Sequence, residues 1–312
     1  MIRPRELSAT LDLFPARTPT LPPATHTNSY ALGSRDVLLV EPATPYDDEQ
    51  RAFLAWARAL PSNGRRPVAI FATHHHPDHI GGLDVLAREL ALPVWAHPET
   101  TARLEPALQH YVTRELHDGD VIALDGPIAE SWGVLHTPGH APGHICLHEA
   151  TTGTVIVGDM VASIGTILIA PGEGDMRIYL EQLARLEALS ARLALPAHGD
   201  PIDEPSGLFR RYIEHRGKRE AKVLAALERA DGHAHANATG GGASLEDLVA
   251  VAYDDTPMHL WPIALLSLRS HLDKLVYEGR AIEFRQEARN GGSADVPQGA
   301  ALWQAAPGSS AS

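Results

Sequence analysis

The chain has 312 residues, 44% of them apolar and 21% charged, an ordinary globular composition with room for one large domain and a small one. Residues 1–207 carry 14 basic against 26 acidic side chains, a net of −12, which offers no electrostatic footprint for nucleic acid. Cys146 is the sole cysteine, so an intrachain disulfide and a thiolate metal cage are both excluded, and any transition-metal site must come from carboxylates and the 18 histidines.

No apolar run reaches the roughly 18 residues of a membrane span, so no membrane association is expected. The start, MIRPRELSATLDLFPARTPTLPP, carries prolines and charges where a secretory signal would have an apolar core, and a cytoplasmic location is the expectation. From there the pattern alternates. YALGSRDVLLVEP (30–42) predicts two strands about a Gly-Ser turn, and DDEQRAFLAWARALP predicts an amphipathic helix stopped at Pro61. RPVAIFATHH is a buried strand that runs into a group of histidines, GGLDVLAREL a helix, and LPVWAHP a further strand. DVIAL, ESWGVLHTP, HICLHEA and TVIVGD are strands, RIYLEQLARLEALSARL is a helix, and LALPAHGD closes the series. Mixed strands and helices over 200 residues argue for a layered sandwich and against a helical bundle.

Near residue 208 the pattern changes to helices at LFRRYIEHRGKREAKVLAALERA, SLEDLVAVAYD and WPIALLSLRSHLDKLVYEG, then a strand RAIEFRQ. Ser244 is the expected N-cap of the second helix. Helix, helix, helix, strand is the order of a small winged-helix-like module. The stretch 230–243 reads as a loop in which His233 and His235 are solvated, and 286–312, rich in Gly, Ser, Ala and Gln, as a disordered tail. The expected domains are therefore 1–207 and 208–285, followed by that tail.

The chemistry concentrates in FATHHHPDHIGGLDVL (71–86). His74 and His76 are one residue apart and face one way if the backbone is extended, while His75 points the other way into packing. Asp78 and His79 follow, so the stretch can offer two ligands to one cation and two to another. Other ligands must come from other strand ends. His140 in HTPGHAPGH, Asp159 after VIVG and His198 in LALPAHGD are metal-binding residue types at strand exits beside small residues.

This ordered set resembles the five-part motif of the metallo-β-lactamase fold superfamily. The opening THTNSYALG, TPGHAPGH, the GD pair and the C-terminal module narrow the resemblance to the beta-lactamase-like protein 2 group, over residues 25–285. The resemblance implies an α+β fold, an αβ/βα sandwich of two mixed sheets with helices outside, followed by a winged-helix-like domain. It implies two divalent metal ions. His74, His76 and His140 would hold the first, Asp78, His79 and His198 the second, and Asp159 would bridge them. Zinc is the first choice of metal, with iron or manganese compatible with the same ligands. Cations about 3.5–4 Å apart would share a nucleophilic water. Asp78 is the catalytic candidate, orienting that nucleophile and passing its proton to the leaving group. His144 fits either the support of a ligand or a structural role. Thr27, Asn28 and Ser29 either line the cleft or cap a strand, and Cys146 is a core residue.

Fold and metals do not select a substrate. The favoured reading is hydrolysis of a small thioester, ester or lactone, with the C-terminal module as a lid and oligomerisation open. The alternative is a metal-dependent endoribonuclease acting on single-stranded RNA; the non-enzyme alternative is a binding or regulatory protein that uses the winged-helix-like module. RRYIEHRGKREAK (210–222), with six basic and two acidic residues, is the basic stretch that an RNA groove would need. On a helix it reads better as a solvated face paired with nearby acids, and Trp261 as core with Leu265, Leu268 and Leu272.

Overall fold

A computed structural model of the chain describes residues 4–237, 242–285 and 301–307. It divides into two compact units, Met1–Ile167 with Glu181–Arg210, and Leu168–Leu180 with Arg211–Ser312. The short segment Leu168–Leu180 thus groups with the second unit, which the sequence pattern did not anticipate.

The first unit is the expected sandwich. Its first sheet takes its strands in chain order: β1 (Arg5–Ser8), β2 (Leu11–Arg17), β3 (His26–Leu32), β4 (Asp36–Val40), β5 (Arg66–Phe71), β6 (Val94–Ala96) and β7 (Val112–Glu115). Neighbours are antiparallel from β1 to β4 and parallel from β4 to β7. The second sheet contains β8 (Val121–Leu124), β9 (Glu130–His136), β10 (Ile145–Glu149), β11 (Thr154–Gly158) and β12 (Leu193–Pro196), ordered β12-β11-β10-β9-β8. Strands β1, β2 and β7 lie outside the segments that alternation had marked.

Period-two alternation assigns each side chain to a layer. Leu38 and Val40 point between the sheets, joining Leu13, Tyr30, Phe71, Val134, Leu147 and Ile156 in one buried cluster. Val37 and Leu39 point the other way, onto Phe53, Trp56, Leu83 and Leu86 of the helices Asp47–Ala59 and Leu83–Leu90. Phe14 stacks on Trp56 at 5.0 Å and meets Phe53 edge-on at 5.6 Å. Arg185, on the helix Met176–Ala188, donates to His136 O at 3.0 Å and pairs with Asp118 at 2.8 Å, which docks that end of the helix on the second sheet.

The second unit has its own core of Val223, Leu227, Leu248, Leu268, Leu272 and Leu275. These side chains come from the helices Pro205–Asn237, Leu245–Ala252 and Trp261–Tyr277. Ser244 caps as expected, its hydroxyl accepting from Asp247 N while the Asp247 carboxylate accepts from Ser244 N. Two expectations are corrected. The first helix runs on to Asn237, so residues 230–237 are helical and not loop; the side chains of His233 and His235 lie outside the described residues. Residues Ala301–Ala305, assigned to a disordered tail, form β14, antiparallel to β13 (Ala281–Arg285). The reason is long-range pairing. Trp303 exchanges backbone hydrogen bonds with Ala243 at 2.8 and 3.0 Å, and its ring is 2% exposed under the Arg269 guanidinium.

Candidate metal centre

Strand β5 delivers the chain to Thr73 and His74, both fully buried. His76, extended with ψ of 147°, sits just ahead of the helical turn Pro77–Ile80. That turn carries Asp78 and His79. The remaining candidates sit at exits of the second sheet: His140 after β9, Asp159 after β11 and His198 after β12.

The structure brings all seven together. His74 Nε2, His76 Nδ1 and His140 Nε2 form a triangle with sides of 3.0, 3.0 and 3.2 Å. Three imidazole nitrogens that close are a natural cradle for one cation. Asp78, His79 and His198 form a second group, with His79 Nε2 3.8 Å from Asp78 Oδ1 and His198 Nε2 3.6 Å from Asp78 Oδ2. Asp159 reaches both groups. Its Oδ2 is 3.4 Å from His140 Nε2 and 3.5 Å from His79 Nε2, and its Oδ1 is 3.3 Å from His198 Nε2. Half-buried His75 belongs to neither triad.

The supporting hydrogen bonds decide which nitrogen faces inward, and most of them trace to a residue the sequence reading missed. Glu41, at the exit of β4, is 1% exposed. It accepts from the Thr73 hydroxyl and lies 3.1 Å from His79 Nδ1. The Thr73 oxygen, having donated its proton to Glu41, accepts in turn from His74 Nδ1 at 3.0 Å. One carboxylate therefore fixes a histidine in each triad with Nδ1 bonded outward and Nε2 directed at its neighbours. His198 Nδ1 donates to His26 O at 3.0 Å, which likewise turns its Nε2 toward the centre. The only signal for Glu41 was an acid closing an apolar strand in VLLVEP, a position where a side chain can stay buried.

His144 supports the centre through Asp159. Its Nε2 accepts from Asp159 N at 3.1 Å, so its Nδ1 donates to Thr137 Oγ1 at 2.8 Å. Gly158 makes room for that contact, because a Cβ there would lie 2.6 Å from His144 Nε2, and its φ of +46° suits glycine. Thr27, Asn28 and Ser29 are all buried braces: Asn28 donates to Pro196 O and Gly199 O at 2.9 and 2.7 Å, and Ser29 to Glu41 O at 2.6 Å. Cys146 is buried in the sheet, and that burial pushes its thiol up to about 12.

The electrostatics suit cations. Burial, then the neighbouring His79, His76 and His140, holds His74 well below the usual histidine range. Burial also works against charge on His79, but Asp159, Asp78 and Glu41 outweigh it and raise that ring. His198 and His79 together hold the Asp159 carboxyl far below its ordinary value despite burial. Two buried atoms at the centre, His79 Nε2 and Asp159 Oδ1, have no hydrogen-bond partner among the described residues. Orphaned buried polar atoms are costly, and a cation between the triads would satisfy both.

Residues 22–198 match the metallo-beta-lactamase superfamily, and residues 244–289 match the beta-lactamase associated winged helix domain. Among curated relatives, Lactamase-like protein adaB of Aspergillus niger is 31% identical over 60% of this chain, which spans only 54% of that protein's length. Beta-lactamase-like protein 2 homolog of Drosophila melanogaster is 28% identical, covering 81% of this chain and 83% of its own. The atrochrysone carboxyl ACP thioesterase AgnL7 of Paecilomyces divaricatus is 26% identical over 65% of this chain and 60% of its own. The crystal structure of a metallo-beta-lactamase family protein from Thermus thermophilus shares the fold, with a TM-score of 0.69 at 23% identity over 96% of this chain and 100% of its own. Histidine triads at the strand exits, the two-sheet sandwich around them and the separate helical unit all agree with these matches: the chain belongs to the metallo-beta-lactamase superfamily and couples that domain to its associated winged helix.

Proposed function

We propose that the protein is a dinuclear metal-dependent hydrolase of small thioesters, esters or lactones. The observation that carries this reading is Asp159, whose two oxygens reach from one histidine triad to the other. His74, His76 and His140 would hold one divalent cation, Asp78, His79 and His198 the other, and zinc suits the donor set, with iron or manganese as compatible occupants. When bound, such a pair supplies a nucleophilic water at neutral pH and polarises the substrate carbonyl.

The chain's own contribution is positioning and proton handling. Glu41, Thr73 and His144 hold the surrounding side chains in place through the bonds described above, so no reorganisation is needed during turnover. Asp78 keeps 18% of its side chain exposed, whereas His79 beside it is fully buried. A carboxylate at that border can accept a proton from the nucleophile on Oδ2 and return it to a departing thiolate or alkoxide.

The acyl reading is favoured over RNA cleavage by the fate of the basic helix. Arg210 pairs with Glu187 at 3.1 Å, Arg219 with Asp255 at 2.9 Å, and Lys222 with Asp254 and Asp255 at 2.8 and 2.9 Å. Arg216 is 3% exposed. Four of the six basic side chains in 210–222 are thus engaged within their own unit, leaving few to neutralise phosphates. Support also comes from the thioesterase named among the relatives. No helix among the described residues is long and apolar enough to cross a membrane.

A panel of short acyl thioesters, lactones and single-stranded RNA, assayed with metal-loaded protein at about 0.15 M salt, tests the proposal. Turnover of acyl substrates with poor RNA cleavage is expected. Efficient RNA cleavage that is lost on Arg211→Ala plus Lys218→Ala would replace the acyl reading with the nuclease one.

A further inference from the structure

His140 lies on the loop 136–144, which leads from the end of β9 to β10. The loop is tied at its base, where Thr137 N donates to His144 O at 2.8 Å and His136 Nε2 donates to Pro142 O at 2.8 Å. The short helical turn Pro98–Thr101 rests on it. Thr100 Oγ1 donates to Gly143 O at 2.9 Å, and a Cβ on Gly143 would lie 2.3 Å from Thr100 N, so the two backbones touch. That turn is capped by His97, whose Nδ1 accepts from Glu99 N at 3.2 Å. The same ring lies flat on His136, with centres 4.0 Å apart and planes 11° from parallel. One imidazole thus reaches the loop twice, at His136 by stacking and at Gly143 through the turn it caps.

Both contacts need the neutral ring. A protonated Nδ1 carries a hydrogen and cannot accept from Glu99 N, and an imidazolium stacked on a second histidine adds repulsion once that one charges too. The groups that face His97 do not offset this. On its own turn the Glu99 carboxylate is taken by Arg103 at 2.6 Å. The turn after β7 brings a third imidazole, His117, with its ring centre 6.0 Å away. Next to His136, Asp118 and Arg185 pair with each other at 2.8 Å. Burial, then the His136 and His117 rings, accordingly push His97 down to about 4.

We propose that His97 is a positioning residue for His140, holding the loop while its ring is neutral and releasing it on taking up a proton. The proposal rests on the metal centre proposed above, whose first triad acid would loosen through a residue outside it. A loop detached from the ring leaves His97 with an ordinary histidine value of about 6.5. From there down to about 4, proton uptake favours the detached loop over the docked one. Between pH 7 and pH 5 the detached fraction should therefore rise about 20-fold on account of His97 alone.

The test uses full-length protein, both Zn²⁺-loaded and stripped by chelator. Hydrogen exchange of the segment 136–144, corrected for the intrinsic pH dependence of exchange, reads the detached fraction without turnover. Between pH 7 and pH 5 it should rise about 20-fold more in the wild type than in His97→Asn, which keeps an acceptor for Glu99 N and does not titrate there. Release of Zn²⁺ to a chromogenic chelator should accelerate by a similar margin, because His140 leaves with its loop. Thr100→Val keeps the shape of a buried side chain and removes the bond to Gly143 O, so it should raise exchange and release at both pH values. If exchange and release respond this way in protein that hydrolyses no thioester, ester or lactone, the hydrolase reading fails and the positioning role stands. Parallel pH profiles of exchange in the wild type and His97→Asn overturn the assignment. So does equal acceleration of Zn²⁺ release in those two proteins, or a Thr100→Val loop that exchanges like the wild type.

Discussion

The Glu41 carboxylate lies 3.1 Å from His79 Nδ1 and also receives the Thr73 hydroxyl, which in turn faces His74 Nδ1 at 3.0 Å. A single buried acid thereby orients one histidine in each triad. Glu41 occupies the left-handed region with φ of 59°, a conformation that a residue with a side chain adopts only when its surroundings hold it there. Glu41→Gln keeps the shape and removes the charge that fixes both rings. It should lower metal affinity and turnover by roughly 10- to 100-fold with the fold intact by circular dichroism. Unchanged metal affinity, measured by competition with a chromogenic chelator, would show that the two rings hold their orientation without it.

Protein purified without chelator should contain about two divalent metal ions per chain, because two triads share Asp159. Asp78→Ala and His198→Ala each remove a member of the second group and should cost at least about 100-fold in turnover. His75→Ala should change turnover less than about threefold, since that ring belongs to neither triad. Elemental analysis and steady-state kinetics on the same preparations check all four statements. A His75 variant as damaged as the other two would mean that the wrong histidines have been assigned.

His97 stacks on His136 with ring centres 4.0 Å apart and planes 11° from parallel, and its Nδ1 accepts from Glu99 N at 3.2 Å. Burial, then the His136 and His117 rings, pushes His97 down to about 4. An unfolded histidine titrates near 6.5. Between those values the unfolded chain takes up a proton that the native chain refuses, so stability falls as pH drops from about 6.5 toward about 4. His97→Asn keeps an acceptor for Glu99 N and removes the titration. Its urea midpoint should therefore fall less across this window than that of the wild type; parallel pH profiles would contradict the assignment.

Trp303 is buried in the core of the second unit, beside Leu268 and Leu272. Trp303→Ala should cost about 3–5 kcal/mol by cavity formation, read as a lowered midpoint in denaturant. Deleting 286–312 removes the same side chain together with β14, and should destabilise the second unit comparably. A deletion variant with wild-type stability would restore the view of this stretch as a dispensable tail.

What the sequence determined by itself is local. One intervening residue lets His74 and His76 serve one cation, and the helical turn that follows offers Asp78 and His79. Glycines and prolines mark the exits that carry His140, Asp159 and His198, and the Ser244 capping box is readable from four consecutive residues. What the tertiary structure decided depends on strand register and on partners far away in the chain. Glu41 supports the centre only because β4 pairs with β5, which brings its side chain to Thr73 and His79. The basic helix reads in sequence as a solvated face paired with nearby acids, but the partners of Arg219 and Lys222 are Asp254 and Asp255, more than 30 residues on. Residues 301–305 became a strand because a partner edge at β13 and a site for Trp303 were waiting. Composition records how much apolar surface a segment carries, whereas pairing and burial depend on what the rest of the chain places opposite it.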